Sequence, residues 1–286
     1  MFADDTTLLK CGKSMTALAC GMNRDLGQLY NWLTANKRKL NTAKSNFVIF
    51  RPHQKLVPEF PSLMLCNYAL KQTSSVKYLG VTVDEFLSWR LHIESLYSSL
   101  HRYIHIFAKI RYIVPSHILR MIYHSFCCSR ISYCLSVWGL TCSSALGPLM
   151  ICQKKLIRIM TFSSFAEHSG PLFKLWQILP IMDLLKLRTV SLIHKAVNGN
   201  LPLPFPLLPP SHKLSSRHME NSPLGLPHPR TNFKLQSVAY QGVKFWNAIE
   251  VSIRTLPFKR FKQEVFDFLS KNICMNCPKC TSADLP

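Results

Sequence analysis

Two adjacent carboxylates stand close to the first residue of the sequence, in the segment Phe2-Ala3-Asp4-Asp5. An apolar run of β-prone residues follows them. Adjacent Asp residues repel each other and are poorly suited to the interior of a strand. The pair therefore forms either an ordinary solvated turn or a hairpin tip that holds divalent cations.

A second group with possible metal chemistry lies near the other end, where Cys274, Cys277 and Cys280 follow C-x2-C-x2-C spacing. Zinc prefers four soft or imidazole ligands in a tetrahedron, and iron–sulfur ligation also needs a fourth ligand. No fourth ligand stands in this tail, so a metal site and free thiols both remain open. We expect most of the 11 cysteines to be reduced, and several to be buried as small hydrophobes.

The charge of the chain is strongly unbalanced, with 35 Lys and Arg against 14 Asp and Glu and a formal net charge of +21. Such a charge draws polyanions, so nucleic acid or an anionic membrane surface is the expected partner. Between Trp89 and Phe165 there is one acid, Glu94, among nine cations. The cations are Arg90, Arg102, Lys109, Arg111, Arg120, Arg130, Lys154, Lys155 and Arg158. A solvated face usually intersperses both signs, so phosphate contact is favoured over simple solvation.

Length and composition predict a folded protein with one large or two ordinary domains. The 286 residues are 48% hydrophobic and 11% aromatic, which excludes global disorder. The sequence shows no secretory signal and no apolar run long enough to span a bilayer. We therefore expect a soluble chain.

The elements that would position these residues begin with a helix from Ser14 to about Lys37. Short strands are predicted at 46–50 and 75–84, the latter with a Gly where a backbone needs close approach, and a small hairpin around Asn67-Tyr68.

From Ser88 onward the apolar spacing becomes helical. In the helix after Pro115 we expect Ile118, Ile122 and Phe126 to face inward. Asn198-Gly199-Asn200 is a predicted helix stop. The predicted helices of this part span about 89–110, 116–128, 144–160, 171–179, 181–197 and 257–271.

Several short motifs then occur in a characteristic order along the chain. Together they resemble the reverse transcriptases of non-LTR (LINE-type) retrotransposons, and more specifically the jockey and chicken-repeat-like branch. The resemblance spans nearly the whole sequence. The motifs are FADDT (2–6), LNTAKSNFVIF (40–50), VKYLGVTVDEFLSW (76–89), SYC (132–134), VWG (137–139), QKK (153–155), RTN (230–232) and GVKFWN (242–247).

The resemblance implies an α+β fold with three parts. Residues 1–86 would form a partial palm that starts at the FADD motif, an incomplete antiparallel sheet with a helix. Residues 87–165 would form a helical thumb-like domain. Residues 166–286 would form a C-terminal helical domain with a Pro-rich loop at 201–229 and the Cys-containing tail.

The resemblance also implies two-metal polymerase chemistry, in which Mg²⁺ ions activate the primer hydroxyl and clamp the departing pyrophosphate. Asp4 and Asp5 would be catalytic metal ligands, and Phe2 would pack near the primer end. Lys44 would approach the triphosphate and protonate the pyrophosphate, although a solvated lysine in a basic turn is the alternative. Tyr78 and Gly80 would lie in the primer grip, with a plain structural strand as the alternative.

A complete palm needs another aspartate from an upstream strand, because two carboxylates on one turn cannot surround two cations. We therefore expect a truncated RNA-directed DNA polymerase that is not active alone, gripping the RNA and DNA of a template–primer duplex through its thumb. An intact element-encoded protein is a further candidate partner, and no membrane is involved. We expect an intracellular location, cytoplasmic, nuclear or both. A non-catalytic basic nucleic-acid-binding protein and a zinc-dependent interaction module are the alternatives.

Overall fold

A long helix is followed by short strands in the first part of the computed structural model, which describes residues 6–55, 60–66, 68–208 and 224–273. The chain forms two compact units that divide between Leu91 and His92. The first unit carries the named strands and the second is helical, so the predicted α+β class is confirmed. The palm, thumb and C-terminal assignments stay predictions. No helix in these ranges is both long enough and apolar enough to cross a bilayer.

The first unit packs one long helix against a small hairpin. Its helix α1 (Met15–Ala35) buries Ala19 and Leu26 against Leu63 and Leu65. The hairpin predicted around residue 67 is confirmed, because β2 (Met64–Leu65) and β3 (Tyr68–Ala69) are antiparallel, while β1 (Asn46–Phe47) lies parallel to β4 (Lys71–Gln72). The elements are α1 (Met15–Ala35), a 3-10 turn (Thr42–Lys44), β1 (Asn46–Phe47), β2 (Met64–Leu65), β3 (Tyr68–Ala69) and β4 (Lys71–Gln72).

Residues 75–84 were predicted as a single strand, and this prediction is wrong. They form an antiparallel hairpin of β5 (Ser75–Tyr78) and β6 (Val81–Asp84). Both residues of the turn have positive φ, 46° at Leu79 and 82° at Gly80, as a type I′ turn requires. Gly80 therefore serves the turn and not the approach of another backbone. The sequence did not indicate this turn, because leucine is unusual at its first position, where Asn, Asp or Gly is preferred.

The buried carboxylate of Asp84 shapes the connection between β6 and the next helix. Its two oxygens accept hydrogen bonds from the backbone N–H groups of Ser88 and Trp89, each at 3.0 Å. Leu87 and Trp89 have φ of 52° and 63°, so this connection uses the left-handed region that non-glycine residues rarely adopt. The side chain of Asp84 thus holds the backbone from which α2 (Arg90–Ile110) starts.

The helices of the second unit follow the predicted ones, often within a residue or two. Arg90 and Leu91 at the start of α2 belong to the first unit, and the remainder of α2 belongs to the second. The other elements are α3 (Ser116–Tyr123), a π-helical segment (His124–Cys128), α4 (Ser129–Ser132), α5 (Leu135–Trp138), α6 (Ser143–Met160), α7 (Ser169–Leu175), α8 (Ile181–Val197), α9 (Asn232–Leu235), α10 (Val238–Asn247), α11 (Val251–Arg254) and α12 (Phe258–Lys271).

Helix α8 is the centre of this unit, since it contacts α4, α5, α10 and α12 and buries side chains on several sides. Helix α10 approaches it closely at Gly242. A Cβ atom at Gly242 would lie 3.1 Å from the side chain of Ile193 and 3.3 Å from that of Thr189. The absence of a side chain therefore permits this helix contact.

The inward face of α3 differs from the predicted one. Leu119, Tyr123 and Cys127 are buried, whereas Phe126 is 49% exposed. The buried stripe is thus shifted by one position relative to the predicted set. Apolar residues occupy both neighbouring stripes of this helix, so the sequence spacing alone fits either face.

We predict that replacing Asp84 destabilises the chain. Asp84→Ala leaves two backbone N–H groups without their acceptor, and hydrogen bonds to charged groups are worth about 1.5–3 kcal/mol. We expect the midpoint of chemical denaturation to fall, as measured by circular dichroism. Asp84→Asn should lower the midpoint less, because one acceptor oxygen remains. Glu94→Gln removes the same charge from an exposed position and should leave the midpoint unchanged. Equal effects of Asp84→Ala and Glu94→Gln would contradict the role of Asp84.

Buried thiols predict a loss of stability at alkaline pH. Burial raises the pKa of Cys127 to about 12 and that of Cys152 to about 11, from an ordinary value of 9.0. Above pH 9 the unfolded chain therefore loses these protons first, and the free energy of unfolding falls as the pH rises towards 11 or 12. Denaturation at a series of pH values measures this fall. Cys152→Ala should make it shallower and Cys142→Ala, at an exposed thiol, should not.

Candidate nucleic-acid interface

The amphipathic character of α6 places three of the predicted phosphate-binding residues on one surface. Lys154, Lys155 and Arg158 lie within about one-third of the helix circumference, since successive residues are separated by about 100°. Lys154 is exposed, and Lys155 and Arg158 are half-buried. The opposite face is apolar and packed. Its buried residues are Leu146, Leu149, Cys152, Gln153, Leu156, Ile157 and Met160.

Gln153 fixes the orientation of this helix from inside the unit. Its Nε2 donates to the Tyr123 hydroxyl at 2.9 Å and to the Leu179 carbonyl at 3.1 Å. Its Oε1 accepts from the backbone N–H of Ile181 at 3.0 Å. Because all three bonds are buried, they hold α6 in one rotation and direct the two lysines that follow Gln153 outward. The QKK motif was recognised in the sequence, but this role of Gln153 was not predicted. A polar residue within the apolar stripe of α6 could have indicated a buried hydrogen-bonding role.

The carboxyl-terminal ends of α2 and α6 meet through Arg111. Its Nη1 donates to the Ile159 carbonyl at 3.1 Å and its Nη2 donates to the Tyr112 hydroxyl at 2.5 Å. Arg158 lies at the same end of α6, where its Nε donates to the Glu167 carbonyl at 2.9 Å. The structure thus brings Arg111 and Arg158, two of the predicted site residues, to adjoining helix ends.

Two further cations of the second unit also contact neutral groups. Arg120 Nη2 donates to the Gln177 side-chain carbonyl at 3.3 Å. Arg130 donates to the Ser99 hydroxyl, and its guanidinium lies 5.5 Å from the centre of the Tyr103 ring. Such contacts hold the side chains without neutralising them.

Ion pairs in the described ranges leave the charge of this segment uncompensated. The pairs are Lys10–Asp25, Arg51–Glu85 and Lys186–Asp183. None of them includes any of the nine cations between Trp89 and Phe165. Within the described residues, these nine cations therefore present positive charge that no ion pair neutralises.

Helix α2 carries the remaining cations of the predicted set. Arg102 and Lys109 are exposed and seven residues apart, close to two turns of helix, so they share a face. Arg90 is the exposed first residue of α2 and belongs to the first unit.

The other predicted residues of the first unit lie on separate pieces of secondary structure. Lys44 is exposed in the 3-10 turn before β1, and its backbone N–H donates to the Asn41 side chain at 3.3 Å. Tyr78 is 43% exposed at the end of β5, and Gly80 is in the following turn. Their predicted roles in the triphosphate and primer sites stay predictions.

The predicted metal ligands lie outside the described residues. This holds for Asp4 and Asp5, for Phe2 beside them, and for the cysteines at 274, 277 and 280. Where the structure describes the chain, no group of three or more His, Cys, Asp or Glu residues could hold a metal ion.

Comparison with curated proteins finds relatives among mobile-element polymerases. The chain is 26% identical over 163 residues to the RNA-directed DNA polymerase from mobile element jockey of Drosophila melanogaster, which covers 55% of this chain and 17% of the relative. It is 24% identical over 188 residues to the probable RNA-directed DNA polymerase from transposon X-element of the same species, a match that covers 64% of this chain and 20% of the relative. The RNA-directed DNA polymerase from mobile element jockey of Drosophila funebris is 23% identical over 163 residues, a match that covers 55% of this chain and 17% of the relative.

No family model and no solved structure matches the chain. The matched segments span at most a fifth of the length of the curated relatives. These homologues are polymerases of non-LTR retrotransposons, so the resemblance drawn from the sequence motifs is confirmed.

Proposed function

We propose that this chain forms part of an RNA-directed DNA polymerase of a non-LTR retrotransposon, in which the helical unit grips the template–primer duplex. Its curated homologues support this polymerase class. The observation that carries the proposed grip is the set of cations on α2 and α6 that lack carboxylate partners within the described residues.

Phosphate contact follows from this charge arrangement. Each phosphate that a Lys or Arg neutralises releases condensed counterions, so binding to a duplex becomes steeply dependent on salt. Contacts of this kind position a protein on the backbone and carry no direct sequence information. We therefore expect tight binding at low salt that hardly distinguishes one sequence from another.

The cations of α12 provide a natural contrast. Lys259, Arg260 and Lys262 are exposed, but Glu264 and Asp267 follow them on the same helix. Mixed charge of this type is typical of a solvated surface. We therefore place the duplex on α2 and α6 and not on α12.

The parts of the chain have distinct proposed roles. Residues 1–86 contribute to the palm, 87–165 form the thumb, and 166–286 form the C-terminal helical domain. Lys44 approaches the triphosphate, and Phe2, Tyr78 and Gly80 lie near the primer.

The proposed metal ligands are Asp4 and Asp5, whose carboxylates suit Mg²⁺. When bound, two Mg²⁺ ions would stabilise the charge of phosphoryl transfer. Asp4 and Asp5 supply too few oxygens to surround two ions, so further oxygen ligands would be needed. An intact element-encoded protein is a candidate source of the other ligands. RNA and DNA would be the partners, within the cytoplasm, the nucleus or both.

Neutralising the surface of α6 tests the proposed grip. The triple variant Lys154→Gln, Lys155→Gln and Arg158→Gln removes three charges that would each contact a phosphate. For an RNA–DNA hybrid duplex we expect the slope of log affinity against log salt to become less steep by roughly 2 to 3, at about 0.9 for each lost contact. Fluorescence anisotropy across a series of salt concentrations measures the slope.

The matched control is the triple variant Lys259→Gln, Arg260→Gln and Lys262→Gln, which removes the same charge from α12. It should change the slope by less than about 1. Equal losses in the two variants would show that binding follows net charge alone, and the proposed grip on α6 would be wrong.

A metal titration tests Asp4 and Asp5 separately. Mn²⁺, followed by its effect on water proton relaxation, should bind the full chain weakly, because few ligands are present. Asp4→Asn with Asp5→Asn should abolish this binding, whereas Asp183→Asn, at a carboxylate paired with Lys186, should leave it unchanged. Unchanged Mn²⁺ binding by the Asp4 and Asp5 variant would contradict the assignment, as would primer extension by that variant.

A further inference from the structure

Three side chains at the meeting point of α2 and α6 form a compact group, here called the aromatic–arginine cluster: Arg111, Tyr112 and Phe162. The Arg111 guanidinium lies 4.7 Å from the centre of the Tyr112 ring and 4.6 Å from that of the Phe162 ring. The two rings meet edge to face with centres 5.3 Å apart. These are stacking separations between a cation and two π-faces.

The two rings of the cluster are largely open to solvent. Tyr112 is 70% exposed and Phe162 is 56% exposed. Beside them lies a shallow cavity of about 220 Å³, whose lining includes Arg111, Leu119 and Trp176. Phe162 therefore lies at the rim of a small recess, and both rings contribute little to the core.

Phe162 adopts a backbone conformation in which glycine is the favoured residue. The N–H of Phe162 donates to the Ile159 carbonyl and that of Ser163 to the Arg158 carbonyl, which is the Schellman pattern at the end of α6. Phe162 has φ of 56° in this motif. A non-glycine residue in the left-handed region costs about 1–2 kcal/mol. An exposed phenyl ring recovers little of this cost through burial.

The cluster is also held rigidly. Arg111 is anchored to the Ile159 carbonyl at 3.1 Å and to the Tyr112 hydroxyl at 2.5 Å. The guanidinium therefore keeps its place beside both rings, which lowers the entropy cost of binding a flat ligand.

The charge around the cluster favours an anion. The sequence has no Asp or Glu from Ser95 to Ala166. The Arg158 guanidinium lies 5.9 Å from the ring of Phe165, which is itself 75% exposed. A cation that can bind phosphate thus lies at the same end of α6 as the ring of Phe162.

We propose that the aromatic–arginine cluster binds an unpaired nucleotide in a single-stranded extension next to the duplex, with its base stacked on Phe162 and its phosphate near Arg158. The inference rests on the proposed function, because it adds a single-stranded contact to the duplex grip. Base–aromatic stacking tolerates any sequence, since every base has a π-face. An acidic peptide would match the charge but gives no reason for a fixed guanidinium beside two exposed rings.

Two probes and one substitution test the cluster in the full chain. The probes are a blunt RNA–DNA hybrid and the same hybrid with a short single-stranded extension that carries 2-aminopurine. We expect the chain to bind the extended probe roughly 5- to 100-fold more tightly and to quench the 2-aminopurine fluorescence by stacking. Phe162→Gly should remove both effects and leave blunt-hybrid affinity unchanged.

The glycine substitution separates binding from folding. Glycine relieves the left-handed strain at position 162, so the thermal midpoint of Phe162→Gly should not fall. Gln177→Gly makes the same backbone change at the end of α7, where φ is 50°, and should keep the preference for the extended probe. Equal affinity of the unmodified chain for both probes, or a preference that survives Phe162→Gly, would overturn the inference.

A third probe distinguishes this inference from the duplex grip. The chain should quench the fluorescence of a free single strand that carries 2-aminopurine, and Phe162→Gly should abolish this quenching. If the quenching occurs and the blunt hybrid does not bind, only the proposed duplex grip is wrong. Binding of the blunt hybrid with no Phe162-dependent quenching would leave the grip standing and refute the cluster. Displacement of the single strand by a Glu-rich peptide and not by unlabelled oligonucleotide would assign the cluster to a protein partner and also refute it.

Discussion

Cations that lack carboxylate partners lower their free energy by contact with anions from outside, and this constraint dominates the helical unit. Arg111, Arg120 and Arg158 donate to carbonyl oxygens of neutral groups, which orients their charge without cancelling it. The described ion pairs, at Lys10, Arg51 and Lys186, include none of these arginines. The charge is therefore both fixed in place and available, and a polyphosphate backbone is the partner that satisfies several such groups at once.

Buried polar side chains make this arrangement possible. Gln153 joins α6 to α3 and to the start of α8, and so sets which side of α6 faces outward. Asn247 has a similar role in α10, because its side chain both donates to and accepts from the backbone of Leu224. His194 is 2% exposed and its Nε2 lies 2.9 Å from the Leu256 carbonyl. Unsatisfied, each of these groups would cost about 1–3 kcal/mol, so they specify helix positions as well as stabilise them.

The sequence predicted the helices best where local signals agreed. The apolar spacing located α6, α8 and α12 to within about two residues. The stop at Asn198-Gly199-Asn200 is confirmed, since Gly199 has φ of 70° beyond the end of α8.

Other features depend on tertiary contacts that no local pattern reveals. The hairpin turn at Leu79-Gly80 was missed because a leucine occupies a left-handed position. The buried face of α3 was misplaced because its apolar residues fit two faces equally well. Of the candidate site, the common surface of Lys154, Lys155 and Arg158 follows from helical spacing, whereas the meeting of Arg111 with α6 does not.

The motifs that carry the resemblance have structural reasons in this chain. Within VKYLGVTVDEFLSW, Asp84 holds the start of α2, and Glu85 pairs with Arg51, whose guanidinium lies 4.8 Å from the Phe86 ring.

Lysine footprinting tests most directly whether α2 and α6 hold the duplex. With a saturating RNA–DNA hybrid, acylation of Lys109, Lys154 and Lys155 should slow markedly while that of Lys259 and Lys262 stays unchanged. Uniform protection of all five lysines, or protection confined to α12, would contradict a duplex held on α2 and α6.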